Sequence, residues 1–314
     1  MDLDVAALSL LILLSFIPSL FWLFFYFFYS PQFTTSRGIL AAVFFGGIVA
    51  ALAAAFIERW GVGLLPGHTL SVLNQYFFLE PPQDPVKLGI LALFTFLFIA
   101  PVEEFLKFSL LFFFIKRFPK HLNQIIDGIK FGIVVGLGFA VLENGVYFYP
   151  HLISGETATL LKIFFLRFFV ATLGHSLYTG VLGYYVGLGH FYRLYRGKFI
   201  RNGLILAILI HGLFNFFLFV NIGFYSVILV IVSLLFMVKW YRDRKNLESY
   251  IVQGKYEMIR PPMFAERPEF ESILAKNRVT YAVIKKFRLC PFCLKGRDPK
   301  QETCLYCGKR VKQD

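Results

Sequence analysis

The chain has 314 residues, of which 57% are hydrophobic and 40 are phenylalanine. A water-soluble domain of this size could not bury that much apolar surface, so the composition excludes an ordinary soluble protein. The formal net charge of +13 is explained mostly by lysine and arginine in loops that face anionic lipid, which leaves nucleic-acid binding without support.

Seven apolar segments are each long enough to cross a bilayer, which requires roughly 20 residues. We expect the first to be a retained helix and not a signal peptide, since Asp2 and Asp4 stand where a basic region would be needed. A shorter apolar stretch at 68–82 is expected to be interfacial or re-entrant. The sequence therefore predicts an all-α polytopic membrane bundle over residues 1–240, with about seven transmembrane helices. The segments are 5–29, 38–57, 88–115, 127–149, 160–189, 200–220 and 222–240.

Lysine and arginine are concentrated in every second loop of this bundle. Positive residues follow the first, third and fifth segments, whereas the connection 150–159 contains none. Because positively charged loops stay in the cytoplasm, this alternation predicts an outside N-terminus and a cytoplasmic C-terminal tail. The expected location is the cell (inner) membrane.

Beyond Trp240 the sequence becomes polar and charged. We interpret residues 241–288 as a cytoplasmic linker, with a short helix near 265–277 and a strand near 279–284. All four cysteines of the chain then fall within 289–310 as two Cys-x-x-Cys pairs. They are Cys290, Cys293, Cys304 and Cys307.

Two such pairs supply four thiolates for tetrahedral zinc, and the metal would provide the folding energy that so short a segment lacks. Disulfide or redox pairing is the alternative, but the cytoplasm disfavours stable disulfides. We therefore predict a structural zinc ribbon. A closed four-cysteine site has no open coordination position, so its expected role is stabilisation or docking of a cytoplasmic protein partner, and not catalysis.

The third segment contains the adjacent acids Glu103 and Glu104, followed by Lys107. Ionisable residues inside a membrane are costly and usually functional. A purely structural salt bridge is the alternative, but burying an ion pair seldom adds stability and one lysine leaves one carboxylate in excess. Adjacent helix positions diverge by about 100°, so only one glutamate can face a central cavity. The other would support it together with Lys107.

Polar residues also interrupt the next three segments. Glu143 and Asn144 lie in the fourth, His175 in the fifth, and the pair His211 and Asn215 in the sixth. A lone buried histidine is more often a satisfied core residue, and an amide can simply pair two helices. Acids, imidazoles and an amide together are nevertheless the groups that activate water and stabilise an oxyanion.

Glycines recur every four residues in the fourth segment, at Gly128, Gly132 and Gly136. Small residues at this spacing let two helix backbones approach closely. The pattern therefore predicts a tight contact between the fourth helix and a neighbour.

Four motifs, one per helix, resemble those of the PrsW family of intramembrane proteases. They are E-E-x-x-K from Glu103, F-x-x-x-E-N from Phe139, G-H-x-x-x-T-G around His175, and H-x-x-x-N from His211. This family belongs to a superfamily with the type II CAAX prenyl proteases and the CPBP, or abortive-infection-like, proteins. The resemblance covers roughly residues 88–220. It implies that Glu103 activates water and that His211 and Asn215 stabilise the oxyanion.

The CAAX enzymes have F-x-x-x-H where this chain has Glu143, so the division of labour between Glu143 and His175 stays open. A catalytic metal also stays open. PrsW-type proteins have been classed as metalloproteases, but the sequence contains no H-E-x-x-H motif. A metal-free glutamate mechanism is the preferred expectation.

We therefore expect an intramembrane peptidase that cuts a membrane-associated protein, in regulated proteolysis or signalling. One alternative is a proton- or cation-linked transporter that uses the same residues as a relay, but the internal repeat typical of transporters is not visible. The other alternative is a non-catalytic scaffold that recruits a partner through the zinc ribbon.

Overall fold

The structure, a computed structural model, describes residues 5–29, 36–63, 84–118, 121–122, 125–191, 195–252, 255–256 and 279–280. In these ranges the protein is almost entirely helical. The helices are α1 (Val5–Tyr29), α2 (Arg37–Gly63), α3 (Pro85–Arg117), α4 (Ile125–Ile153), α5 (Thr157–Leu166, Arg167–Ala171 and Thr172–Phe191 in one continuous rod), α6 (Arg196–Phe219) and α7 (Gly223–Val252).

Seven of the described helices are long and apolar enough to cross a membrane, which confirms the seven predicted segments. Several helices begin earlier than predicted because their first turns use polar residues. At α3, the side chain of Asp84 accepts a hydrogen bond of 2.9 Å from the backbone N–H of Val86, and Pro85 occupies the first position. Both are standard helix-start devices that hydropathy does not detect.

The C-terminal end of the described chain differs from the predicted ends. Helix α7 continues to Val252, past the apolar segment. Two short strands, β1 (Lys255–Tyr256) and β2 (Val279–Thr280), then pair antiparallel, with Lys255 opposite Thr280. The second strand begins where the sequence predicts one. The predictions for 68–82, 265–277, 281–284 and the ribbon at 289–310 lie outside the described residues.

Helix α4 is the central helix of the bundle, with almost every residue from Ile125 to Val141 buried. A Cβ at Gly132 would collide with the carbonyl oxygen of Thr179, and one at Gly136 with that of His175. The glycines therefore allow α4 and α5 to touch backbone to backbone, which confirms the predicted close contact. This contact places the part of α5 that carries His175 directly against α4.

Two helices contain a π-turn, in which the backbone hydrogen bonds span five residues. These turns are Thr95–Ile99 in α3 and Arg167–Ala171 in α5. Each wide turn accommodates one extra residue, so it rotates the side chains after it relative to those before it. Both turns end four residues before a site residue, Glu103 in α3 and His175 in α5.

Large apolar side chains cover the outside of the bundle. Leu97 is 72% exposed, Phe105 58% and Leu235 63%. A soluble protein would not leave so many such residues in water, whereas hydrocarbon solvates them. The polar residues predicted to be functional are instead buried or, for Glu143 and Asn215, half-buried.

Candidate active site

The interior of the bundle brings together the polar residues of α3, α4, α5 and α6. Glu104, Lys107 and His211 are all 0% exposed, and His175 and Glu103 are nearly as buried. Six residues predicted to be catalytic therefore lie in one connected cluster: Glu103, Glu104, Glu143, His175, His211 and Asn215.

Lys107 lies at the centre of this cluster. Its Nζ donates to Glu104 Oε1 at 2.8 Å and to Glu103 Oε2 at 3.2 Å, and lies 3.2 Å from His175 Nδ1. It also sits 3.9 Å from the centre of the Phe139 ring. Since an ammonium group only donates hydrogen bonds, Nδ1 of His175 must accept one.

The other nitrogen of His175 contacts a carboxylate. Its Nε2 pairs with Glu143 Oε2, and an ionised carboxylate only accepts hydrogen bonds. Both neighbours therefore require the same tautomer, with the proton on Nε2 and the lone pair on Nδ1. The lone pair of His175 consequently points toward Lys107 and the tandem acids of α3.

His211 is held in a comparable way. Its Nδ1 lies 2.9 Å from Glu104 Oε1, so in the neutral ring this nitrogen carries the proton. Its Nε2 lies 3.2 Å from Asn215 Nδ2 and 3.8 Å from Glu103 Oε2. The ring also stacks on Tyr178, with centroids 5.7 Å apart. The lone pair of His211 is thus turned toward Glu103.

The two adjacent glutamates have different surroundings. Glu104 is fully enclosed between Lys107 and His211, whereas Glu103 keeps a small exposed fraction and faces Nε2 of His211. This agrees with the helix geometry, which allows only one of the two to face the cavity. Glu103 is therefore the less enclosed of the two carboxylates.

Three of these residues offer the donor set of a metal site. One ligand atom each from Glu103, His175 and His211 lies within 4.8 Å of the other two. Two imidazoles and one carboxylate form a known catalytic zinc set, and each imidazole here has a carboxylate on its other nitrogen, as metal-bound histidines usually do. Around these donors, three carboxylates (Glu103, Glu104 and Glu143) outnumber the two permanent cations (Lys107 and Arg167). This excess of negative charge fits a divalent cation.

Asn144 has a different role from its neighbour Glu143. Its Oδ1 accepts a hydrogen bond of 2.7 Å from Arg167 Nε, and its Nδ2 donates to Thr172 Oγ1 at 3.2 Å and to the carbonyl oxygen of Ser15 at 3.4 Å. Asn144 therefore joins α4 to α5 and α1 and supports the cluster from outside it.

Sequence reasoning gave no role to two further residues near the cluster. Arg167 pairs with Glu143 Oε2 at 3.1 Å through Nη2. Glu58 of α2 interacts electrostatically with Glu143, Lys107 and Glu103, and its Oε1 is buried with no hydrogen-bond partner in the part of the chain that the structure describes. Arg167 is an ionisable residue within the fifth predicted apolar segment, which is the signal that could have identified it, whereas Glu58 lies one residue past the end of the second.

The part of the chain that is similar to known proteins contains these same residues. Positions 35–240 match the family described as PrsW family intramembrane metalloprotease. The chain belongs to the PrsW family. The matched range includes every residue of the cluster and excludes the four cysteines, so the zinc ribbon stays a prediction.

Individual PrsW relatives are similar over the same part of the chain. Protease PrsW of Shouchella clausii is 35% identical over 148 residues, covering 46% of this chain and 65% of the relative. That of Halalkalibacterium halodurans is 34% identical over 134 residues, covering 40% and 58%. That of Bacillus subtilis is 30% identical over 186 residues, covering 50% and 80%. The chain thus spans less than two thirds of the first two relatives. No solved structure matches the chain.

Proposed function

We propose that this PrsW protein is an intramembrane peptidase that hydrolyses a peptide bond of a membrane-associated protein. The observation that carries the proposal is the convergence of Glu103, His175 and His211 at membrane depth, with donor atoms within 4.8 Å of one another. Each imidazole has its tautomer fixed by a carboxylate on the opposite nitrogen. Transporter and scaffold functions are not favoured, because the family and its named relatives are proteases.

Amide hydrolysis requires a base for water, a donor for the developing oxyanion and a proton for the departing amine. Glu103 is the acid of the cluster that faces both imidazole lone pairs, and it takes the water proton and returns it to the amine nitrogen. Lys107 donates to Glu103 and Glu104 together and balances part of their charge.

The amide of Asn215 is the oxyanion donor in this arrangement. His211 in its neutral form presents a lone pair at Nε2, which accepts from Asn215 Nδ2 at 3.2 Å. Nδ2 carries a second hydrogen that remains for a substrate oxygen. The resemblance assigns oxyanion stabilisation to His211 and Asn215 jointly, and the hydrogen bonds favour Asn215 as the donor and His211 as the group that orients it.

A catalytic metal fits the same residues. As an alternative to the metal-free arrangement above, Glu103, His175 and His211 would hold a divalent ion in place of their base and hydrogen-bonding roles, and the ion would supply Lewis acidity toward a substrate carbonyl and toward water. Glu143 and Glu104 would then fix the rings of the two histidine ligands, as carboxylates do in many metal sites. Lys107 contacts Glu103 and His175 directly and has Glu104 as its third partner.

The remaining proposals concern the rest of the molecule. From the loop charges, the N-terminus lies outside the cell membrane and the C-terminal tail lies in the cytoplasm. In that tail Cys290, Cys293, Cys304 and Cys307 form a structural zinc ribbon that stabilises the tail or docks a cytoplasmic protein. Regulated proteolysis of a membrane protein is the proposed context.

Comparative proteomics of membrane proteins tests the activity. Cells expressing the wild type are expected to contain a membrane-protein fragment that is missing with Glu103→Gln at equal expression. Glu156→Gln is the matched control, because that side chain is 55% exposed and pairs only with His151 among the described residues. Persistence of every fragment with Glu103→Gln would refute the proposal, and altered ion flux without any fragment would indicate a transporter.

A further inference from the structure

Arg167 is a buried cation of α5 whose role follows from three contacts. It is 5% exposed, its Nε donates to Asn144 Oδ1 at 2.7 Å, and its Nη2 pairs with Glu143 Oε2 at 3.1 Å. The guanidinium carbon also lies 4.2 Å from the centre of the Tyr147 ring. A buried arginine in a membrane helix is costly unless its partners are all in place, and here all of them belong to α4.

The π-turn of α5 sets the orientation of the Arg167 side chain relative to that of His175. In a regular α-helix, Arg167 and His175 would be offset by about 80°, because eight residues do not make whole turns. The turn Arg167–Ala171 absorbs one extra residue, so the separation behaves like seven residues, which is about two complete turns. Both side chains therefore face α4 and contact the same oxygen, Oε2 of Glu143.

This shared oxygen connects Arg167 to the imidazole. Arg167 is permanently cationic, so the carboxylate that faces it is held as an acceptor. Nε2 of His175 lies against the same oxygen of Glu143 as an ion-pair contact, and the Nδ1 lone pair is turned toward Lys107. Without the guanidinium, the partly exposed Glu143 side chain would lose one of its two anchors.

Asn144 fixes the guanidinium itself. Its oxygen is used by Arg167, and its nitrogen is anchored by Thr172 Oγ1 and by the carbonyl oxygen of Ser15. The amide therefore cannot rotate away without losing hydrogen bonds to α5 and α1. Arg167 is thus held at one nitrogen while another nitrogen orients Glu143.

We propose that Arg167 is a positioning residue of the peptidase: it fixes Glu143, and through Glu143 the ring and tautomer of His175. The π-turn is the backbone feature that puts Arg167 in register for this task. The inference rests on the proposed function for its catalytic consequence, but its structural claim, the His175 tautomer, is measurable without any substrate.

The first test is solid-state NMR of the full chain with isotope-labelled histidine. The His175 signal is identified by its loss in His175→Gln. In the wild type it is expected to show a protonated Nε2 and a bare Nδ1. Arg167→Met leaves Lys107 as the remaining group that favours the Nδ1 lone pair, so a measurable fraction of the Nδ1-protonated tautomer is expected beside the wild-type form. Arg167→Lys keeps the charge and most of the wild-type form. An unchanged His175 signal in Arg167→Met overturns the proposal.

The second test is a cleavage rate. Its substrate is the membrane protein whose fragment is missing from cells that express Glu103→Gln. Loss of a group that orients an active-site histidine typically costs about 10–100-fold, so Arg167→Met should slow the maximal rate by that factor and leave KM within about twofold. The maximal rate of Arg167→Lys should lie between those of the wild type and Arg167→Met. Lys130→Met is the control, since it removes another buried cation, which pairs with Asp127 and lies roughly 20 Å from Glu143 along α4.

The outcomes separate this inference from the proposed function. Wild-type cleavage by Arg167→Met, with Glu103→Gln inactive, refutes the positioning role alone. Cleavage by Glu103→Gln refutes the proposed function and leaves the NMR result as the test of Arg167. If Arg167→Met does not accumulate as folded protein, Arg167→Lys decides: a rate and tautomer equal to wild type would contradict the need for a two-nitrogen contact.

Discussion

Replacing Gly136 with alanine is expected to displace His175 without unfolding the protein. A Cβ at Gly136 would lie 2.8 Å from the carbonyl carbon of His175 and 3.0 Å from Cα of Ser176. Non-bonded carbons pack at about 3.5–4.0 Å, so α4 and α5 must separate by roughly 1 Å at this level. Both neighbours are backbone atoms, which cannot rotate away as a side-chain end could.

We expect Gly136→Ala to lower the cleavage rate more strongly than the free energy of unfolding. Overpacking costs about 1–3 kcal/mol, toward the upper end here because backbone atoms must move, and alanine returns about 1 kcal/mol through its helix propensity, so the net destabilisation is about 2 kcal/mol. A misplacement of about 1 Å at a catalytic group costs about 100-fold in rate. Gly136→Ala should therefore be folded and strongly impaired.

The assay compares cleavage rate and thermal unfolding in detergent with those of Gly38→Ala. Gly38 is a suitable control because it lies in the first turn of α2 and no atom comes within 4 Å of a Cβ placed there. That variant should match the wild type in both measurements. A wild-type cleavage rate in Gly136→Ala would show that the glycine contact does not position His175.

Two further predictions concern charge. Lys107→Met leaves the two acids of α3 without their shared cation, which should cost about 3–5 kcal/mol of stability and lower the midpoint of thermal unfolding. Adding Glu104→Gln removes one of the two uncompensated acids and should recover part of the lost stability. An unchanged midpoint in Lys107→Met would contradict the central role of the lysine. Elemental analysis of folded protein should find one divalent ion fewer per chain in His211→Gln than in the wild type. Any metal in the ribbon contributes equally to both proteins, so it does not affect this difference. Equal metal content would exclude His211 as a ligand.

The transmembrane helices could be predicted because their signal is local. Roughly 20 apolar residues in a row define a span whatever the neighbouring helices are, and α1 spans the predicted 5–29 as Val5–Tyr29. The convergence of the six predicted polar residues could also be expected, since ionisable residues within apolar segments are rare and usually functional. Helix starts such as Asp84 were missed because capping uses polar residues that lie outside the apolar window.

The pairing of the site residues could not be predicted in the same way. Which carboxylate contacts which imidazole depends on the rotation of each helix about its axis, and a π-turn changes that rotation without a distinctive sequence pattern. The turn before His175 brings Arg167 onto Glu143, and this contact answers part of the question that the F-x-x-x-E motif leaves open. In the proposed mechanism Glu143 therefore orients His175, whose other nitrogen faces Lys107.

The same contacts that orient the site also hold the bundle together. Lys107 connects α3 to α5 through His175, Glu104 connects α3 to α6 through His211, and Glu143 connects α4 to α5. On α3, Lys107 already pairs with Glu103 and Glu104, which leaves one carboxylate in excess, whereas Glu143 has its charged partners on α5. Because a buried charge without a partner costs several kcal/mol, these groups are fully compensated only when the helices are together. The cluster therefore forms only when the helices dock, and formation of the site and packing of the bundle are one event. It follows that single substitutions in the cluster lower stability and activity together, whereas paired substitutions that remove both charges of one contact separate the two effects.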